Sequence, residues 1–174
     1  MSVVVQPGHA EVAPGYVRAV WPMAAGALIT DEDGRVLLVN PTYHTGEWKD
    51  RWLFPGGGMD QGDDGPAATC AREVSEELGL EWPVGDLLAV DWIPQDGRFF
   101  EEMIFVFDGG VMDEAARARV RLPEDDELAG FQFFPLAEAM EKLAAPDARR
   151  LEQAVAARGR NAGPVLLRYG RPRS

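Results

Sequence analysis

Apolar and polar positions change period several times along this chain, and the changes predict a mixed α/β order. Residues 18–30 and 35–40 are apolar and rich in β-branched and small side chains, and between them stands Asp31-Glu32-Asp33-Gly34, a turn signal. The pair reads as a β-hairpin, preceded by ten residues without clear period that read as a loose lead-in or an edge strand. Residues 41–50 form a polar loop carrying Tyr43, His44 and Trp48. Trp52-Leu53-Phe54 then reads as a short strand stopped by Pro55, and Gly56-Gly57-Gly58 as a break in regular structure.

From Asp63 the pattern turns helical. Asp63 or Asp64 supplies a cap, Pro66 sits near the first turn, and residues 67–78 run without a breaker to Gly79, the residue type favoured just past a helix end. Residues 87–93 and 99–107 read as two strands joined by a turn at Gln95-Asp96-Gly97. A further strand covers 130–135, and helices cover 136–143 and 147–157. The tail from 158 to 174 carries five arginines and little apolar pattern beyond Val165-Leu166-Leu167. This order predicts an α/β fold, a mixed sheet with helices on its faces. A length of 174 residues suits one domain, 1–174, with 1–15 as lead-in and 158–174 as tail.

Composition narrows the function classes. With 46% hydrophobic and 26% charged residues the chain is an ordinary globular one. No apolar run approaches the roughly 18 to 20 residues of a membrane span, and no basic segment followed by an apolar stretch opens the chain, so a cytoplasmic location is expected. The single cysteine, Cys70, excludes an intrachain disulfide and a cysteine-rich metal site. Seventeen basic against 29 acidic residues leave a net charge of −12, which argues against nucleic acid and anionic membranes as partners. An anionic partner would need a bridging cation.

The predicted helix 67–78 puts Ala67, Cys70, Ala71, Val74 and Leu78 in one sector at about 100° per residue, and Glu73, Glu76 and Glu77 in the adjoining one. Cys70 thereby reads as an inert buried thiol. Like charges at i, i+3 and i+4 repel by a few tenths of a kcal/mol per pair, roughly, unless something positive lies between them. A hard divalent cation meets that need, since Mg²⁺ and Mn²⁺ take oxygen ligands and bridge carboxylates to phosphates. Alone, three glutamates on a helix are a solvated face. The surroundings change that, because Gly58, Arg72, Glu73, Val74, Glu76, Glu77, Gly79 and Leu80 stand at a spacing that chance would match in about one such chain in a million.

The stretch from Gly58 to Leu80 resembles the Nudix box, the signature of the Nudix hydrolases, and Trp52 to Gly58 resembles that family's lead-in. The family pattern carries a glutamate six residues after its glycine, where this chain has Asp64. Aligned from the lead-in instead, Gly62-Asp63 matches the usual Gly-Glu with one residue inserted. The resemblance implies a Nudix-like α/β/α sandwich with a mixed β-sheet. It implies Mg²⁺ or Mn²⁺ held by Glu73, Glu76, Glu77 and a main-chain carbonyl such as that of Gly57. Glu73 and Glu76, with Arg72, make its catalytic set, Arg72 pairing with a helix carboxylate more than touching substrate. Gly56, Gly57, Gly58, Asp63 and Asp64 then fall on the substrate side. A distal base would come from outside the box, with Glu101, Glu102 and residues 124–127 as candidates and Glu127 favoured.

The implied activity is a metal-dependent pyrophosphohydrolase that uses water to cleave the diphosphate linkage of a nucleoside diphosphate joined to another moiety, such as a nucleoside triphosphate or ADP-ribose. The alternative is a non-catalytic Nudix-like module that binds a nucleotide metabolite, against which the intact carboxylate set speaks. The expected partner is a nucleotide-type small molecule, and a homodimer is consistent with the family. Trp48, Trp52, Trp92, Phe99 and Phe100 read as core or rim rather than a base-stacking platform.

Overall fold

The computed structural model describes residues 8–95, 101–161 and 163–173. Its elements run β1 (His9–Ala13), β2 (Tyr16–Ala19), β3 (Met23–Thr30), β4 (Val36–Pro41), a 3-10 turn (Gly46–Trp48), β5 (Gly56–Gly58), α1 (Pro66–Leu78), β6 (Leu87–Ile93), β7 (Glu102–Val111), α2 (Glu114–Arg117), β8 (Leu128–Phe134), α3 (Leu136–Lys142), α4 (Ala145–Arg160), β9 (Val165–Arg168) and β10 (Arg171–Pro172). Asp96 and Gly97 of the predicted turn, Phe99, Phe100 and residues 1–7 of the predicted lead-in lie outside the described residues.

Among the described residues, eight strands form one mixed sheet in the order β10-β9-β6-β7-β3-β4-β8, with β5 paired to β3. The β3/β7 and β6/β9 pairs are parallel and the others antiparallel. Helices cover both faces, as the α/β/α reading expects. On one face α1 lays Cys70, Val74 and Leu78 against Ala27, Ile29, Leu37, Val39 and Phe133. On the other, α3 and α4 lay Ala139, Leu143, Leu151 and Ala154 against Leu28, Val36, Leu38, Val106 and Phe134. Val36-Leu37-Leu38-Val39 therefore divides its side chains between two cores, which is why β4 reads as an unbroken apolar run.

The hairpin predicted at 31–34 forms, but only at its turn. Asp31 accepts from the Asp33 and Arg35 N–H groups, and Gly34 takes the left-handed conformation with φ 77°. β3 and β4 pair at Thr30 and Val36 and then part, because residues 53–58 wedge between them. Leu53 bridges Val39, and the three glycines pair with Gly26, Ala25 and Ala24. The expectation that Gly56-Gly57-Gly58 breaks regular structure is thus corrected: the triplet is itself a strand. Small residues on both sides let the backbones close up, and a Cβ on Gly56 would collide with the Ala25 carbonyl.

Four further expectations are revised. Residues 18–19 belong to β2, which pairs with β1 in a separate hairpin, so β3 starts only after Pro22. Neither Asp63 nor Asp64 caps α1; the N-cap is Gly65 with φ 88°, and Asp63 is engaged elsewhere. Ala67, placed on the apolar face by its angle, is exposed because the first turn of α1 overhangs the core. The arginine-bearing tail is structured, with β9 running parallel to β6 through Val165-Leu166-Leu167 and β10 folding back on it. At the other end of α1 Gly79 closes the helix with φ 64°, its N–H on the Ser75 carbonyl at 2.9 Å.

Candidate active site

The site is assembled where α1 crosses β5. Packing of Cys70, Val74 and Leu78 fixes the rotation of α1, and that rotation turns the neighbouring carboxylates toward the glycine strand. Glu77 accepts from the Gly56 N–H at 2.8 Å. Glu73 lies over Gly57 so closely that a Cβ there would stand 2.5 Å from its carboxyl group. Arg72 ties the pieces together. Its guanidinium donates to Asp63 at 3.0 and 2.9 Å, to Glu73 at 2.8 Å, to Glu76 at 3.0 Å and to the Gly58 carbonyl at 3.0 Å.

Asp63 spends both oxygens on this linkage, accepting also from the Asp60 N–H and the Thr69 hydroxyl. Asp64 is exposed. Of the two aspartates left open by the sequence, Asp63 is the one tied to the box arginine, and neither lines the adjoining groove. Glu127 stands on an exposed loop far along the chain. The loop before β8 is fastened to Thr42, whose N–H donates to the Glu127 carbonyl at 2.9 Å and whose hydroxyl donates to the Asp126 and Glu127 carbonyls at 2.6 and 3.0 Å.

The electrostatics follow from this crowding. Burial pushes the Glu77 carboxyl up to about 8, against the Gly56 N–H and helped by the charges of Glu73, Glu127 and Glu76. Burial also raises Glu73, opposed by its bond from Arg72. Tyr43 is raised by burial and by Glu77, Glu127 and Glu73, so its loop faces the same charges. Asp63 is held well below the usual carboxylate range, first by Arg72. Cys70 is fully buried and its thiol is pushed up to about 12, first by burial.

The donor set consists of hard carboxylate oxygens facing a glycine backbone with no Cβ between, which fits Mg²⁺ or Mn²⁺ better than a softer ion. Among the described residues no three acidic, His or Cys side chains stand as a closed cluster, and the Arg72 guanidinium is paired with both Glu73 and Glu76.

Beside the carboxylates a groove of about 380 Å³ runs along the sheet from Gly56–Gly58 toward the start of α4. His44 and Trp48 line it, with Tyr43 packed edge-on against His44 at 5.1 Å. Trp52 instead packs into the core against Phe134 at 5.0 Å, and Trp92 against Trp21 at 6.3 Å. Glu101 accepts from the Trp21 indole at 2.9 Å, whereas Glu102 lines the groove. Asp147, Arg150 and Tyr169 line it too, and the sequence reading had no role for them. One signal was present: Asp91 is an acid inside the apolar run 87–93, and its fully buried carboxylate holds Arg150 at 2.9 Å.

Comparison with known proteins settles the family, since residues 20–155 match the family model described as NUDIX domain. The chain belongs to the Nudix family. Among curated Nudix-type relatives it is 29% identical over 123 residues to the ADP-ribose pyrophosphatase of Mycobacterium tuberculosis (strain ATCC 25618 / H37Rv), covering 69% of this chain and 56% of that one. It is 41% identical over 77 residues to nucleoside diphosphate-linked moiety X motif 6 of Xenopus laevis, covering 44% of this chain and 33% of the relative. The chain thus spans between a third and a little over half of the length of these relatives. The Nudix fold is matched by the crystal structure of the MutT protein from Methanosarcina mazei Go1, with a TM-score of 0.61, 24% identity, and 81% and 95% of the two chains covered.

Proposed function

We propose that this Nudix chain is a Mg²⁺- or Mn²⁺-dependent pyrophosphohydrolase that uses water to cleave the diphosphate linkage of a nucleoside diphosphate joined to another moiety. The observation that carries the reading is the stacking of Glu73 and Glu77 on the Gly56-Gly57 backbone beside an open groove. The likeness to an ADP-ribose pyrophosphatase supports the substrate type.

In this reading Glu73, Glu76, Glu77 and the Gly57 carbonyl hold the cation. When bound, it supplies Lewis-acid polarisation of the diphosphate and a nucleophilic water. Glu127, on a loop outside the helix, takes the proton from the attacking water. Arg72 is a positioning residue, orienting Glu73 and Glu76 and drawing Asp63 onto the helix. Gly56, Gly57 and Gly58 let a diphosphate approach the backbone. A net charge of −12 suits a substrate that arrives as its metal complex and disfavours nucleic acid and anionic membranes.

The test is loss of substrate and appearance of the nucleoside phosphate product, followed by chromatography, for nucleoside triphosphates, ADP-ribose, dinucleotide polyphosphates and nucleotide sugars, with Mg²⁺, with Mn²⁺ and with chelator. Metal-dependent turnover of one class is expected, and Glu76→Gln and Glu77→Gln should each lower it by about a hundredfold or more with the fold intact. Full activity in both variants overturns the assignment of roles. Silence across the panel with nucleotide still bound points instead to a binding module.

A further inference from the structure

Strand β4 enters the site through a proline. Pro41 is buried and pairs with Leu128 of β8, and the register slips between Asn40 and Pro41. A proline has no N–H to give the ladder, so the pairing of β4 with β8 loses a donor there. Thr42 replaces it. Its N–H donates to the Glu127 carbonyl at 2.9 Å, and its hydroxyl donates to the Asp126 and Glu127 carbonyls, 2.6 and 3.0 Å away. The loop that begins at Thr42 is fixed at its far end as well. The Arg51 guanidinium donates to the Glu141 and Leu143 carbonyls at 3.0 and 3.1 Å, and His44 Nδ1 donates to the Arg51 carbonyl at 2.9 Å. Thr42 is thus the joint between a loop riveted to α3 and the acidic loop before β8.

What the joint holds is a strained turn. Asp126 has φ 58°, a left-handed conformation that a residue with a side chain adopts at a cost. Beside it the Asp125 carboxylate accepts from the Glu127 N–H at 3.1 Å. Glu127 follows the turn directly, so the hand of the turn sets the direction in which its side chain leaves the backbone. Burial first, and then neighbouring charges, raise both Glu77 on α1 and Tyr43 on the loop after Thr42, and Glu127 is among those charges in each case. Thr42, Asp125, Asp126 and Glu127 are all exposed. Hydrogen bonds made in water replace equivalent bonds to solvent and add little net stability. The Thr42 contacts therefore serve placement more than stability.

We infer that Thr42 is a positioning residue: its hydroxyl locks the left-handed turn at Asp126 and thereby aims the Glu127 carboxylate for proton transfer. The inference rests on the proposed hydrolase reading, with Glu127 as its base, and adds the residue through which that base is placed. In the step it serves, a water oxygen bonds to one phosphorus, its proton passes to Glu127, and the bridging oxygen leaves on the other phosphate with the bonding pair. Thr42 touches neither water nor substrate in this scheme. It acts only through the direction of Glu127.

A double-mutant cycle tests it, with kcat and KM measured on whichever diphosphate substrate the protein turns over with metal. Thr42→Val keeps the branched shape and the N–H but removes the hydroxyl, Thr42→Ser restores the hydroxyl, and Glu127→Gln removes the base. Thr42→Val should lower kcat about tenfold with KM changed less than about twofold, and Thr42→Ser should recover most of the loss. Glu127→Gln should lower kcat about a hundredfold. Adding Thr42→Val to Glu127→Gln should cost nothing more, because no base is left to aim. The unfolding temperature should move by only a few degrees throughout. Full activity in Thr42→Val, a loss that Thr42→Ser does not repair, or an equal loss with Glu127→Gln already in place overturns the inference and leaves the hydrolase reading standing. Full activity in Glu127→Gln overturns the inference and its base, while metal-dependent turnover still supports hydrolysis. Absence of turnover in the parent protein overturns the hydrolase reading and the inference with it. If Thr42→Val fails to fold, Asp126→Gly, which frees the turn to take either hand, takes its place in the cycle with the same expected outcomes.

Discussion

Arg72 shows how one side chain can organise a site it does not need to share with substrate. Five hydrogen bonds from its guanidinium join a loop aspartate, two helix carboxylates and a strand carbonyl. The partner that feels this most is Asp63, whose carboxyl is held well below its ordinary range by Arg72 and by the Asp60 N–H. A carboxylate depressed in the folded state stabilises above its unfolded value, near 3.9, and that contribution disappears as the pH falls through the folded value. Asp63→Asn should therefore lower the urea midpoint at pH 7, and the gap to the parent protein should narrow as the pH drops from about 4 toward 2. Urea titrations at three pH values check this, and a gap that stays constant would contradict the pairing. The identities of Glu73, Glu76, Glu77 and Arg72 were legible from their spacing. Their geometry was not, because a carboxylate three residues along a helix from another can meet a cation, an arginine or water, and only the neighbouring strand decides.

At the scale of elements, α1 and α4 press on opposite faces of one sheet, each through a short row of fully buried side chains. Leu78 on α1 and Leu151 on α4 are both at 0% exposure. Leu78→Ala and Leu151→Ala should each cost about 2–5 kcal/mol, measured by denaturant unfolding. Leu78→Ala should in addition depress turnover at saturating metal, since α1 carries the carboxylates, while Leu151→Ala should leave that rate nearer the parent value. Helices and the inner strands were readable from apolar period and from Pro66 and Gly79. β5 was not, since three glycines carry no pattern and their strand character comes wholly from the closeness of β3. β9 was missed for the complementary reason: four residues beside β6 need no amphipathic signal when the parallel partner supplies the register.

At the scale of the molecule, the sandwich has cores on both faces of its sheet that do not depend on the carboxylate site. Chelator should abolish turnover yet shift the unfolding temperature by only a few degrees. Loss of the fold with metal would make the ion a structural one. Among the described residues no helix is long and apolar enough to cross a membrane. What the sequence determined alone was local and periodic: the charge balance, the apolar faces of helices, the turn at 31–34 and the spacing of the box from Gly58 to Leu80. These depend on neighbours within a few turns of chain, where backbone geometry is known in advance. Tertiary structure alone decided which groups from distant segments meet: Glu127 on Thr42, Gly56 on Glu77, and Tyr169 and Arg150 at the far end of the groove. Those meetings follow from the order of strands in the sheet, and strand order is set by the packing of whole faces, which no short stretch of sequence contains.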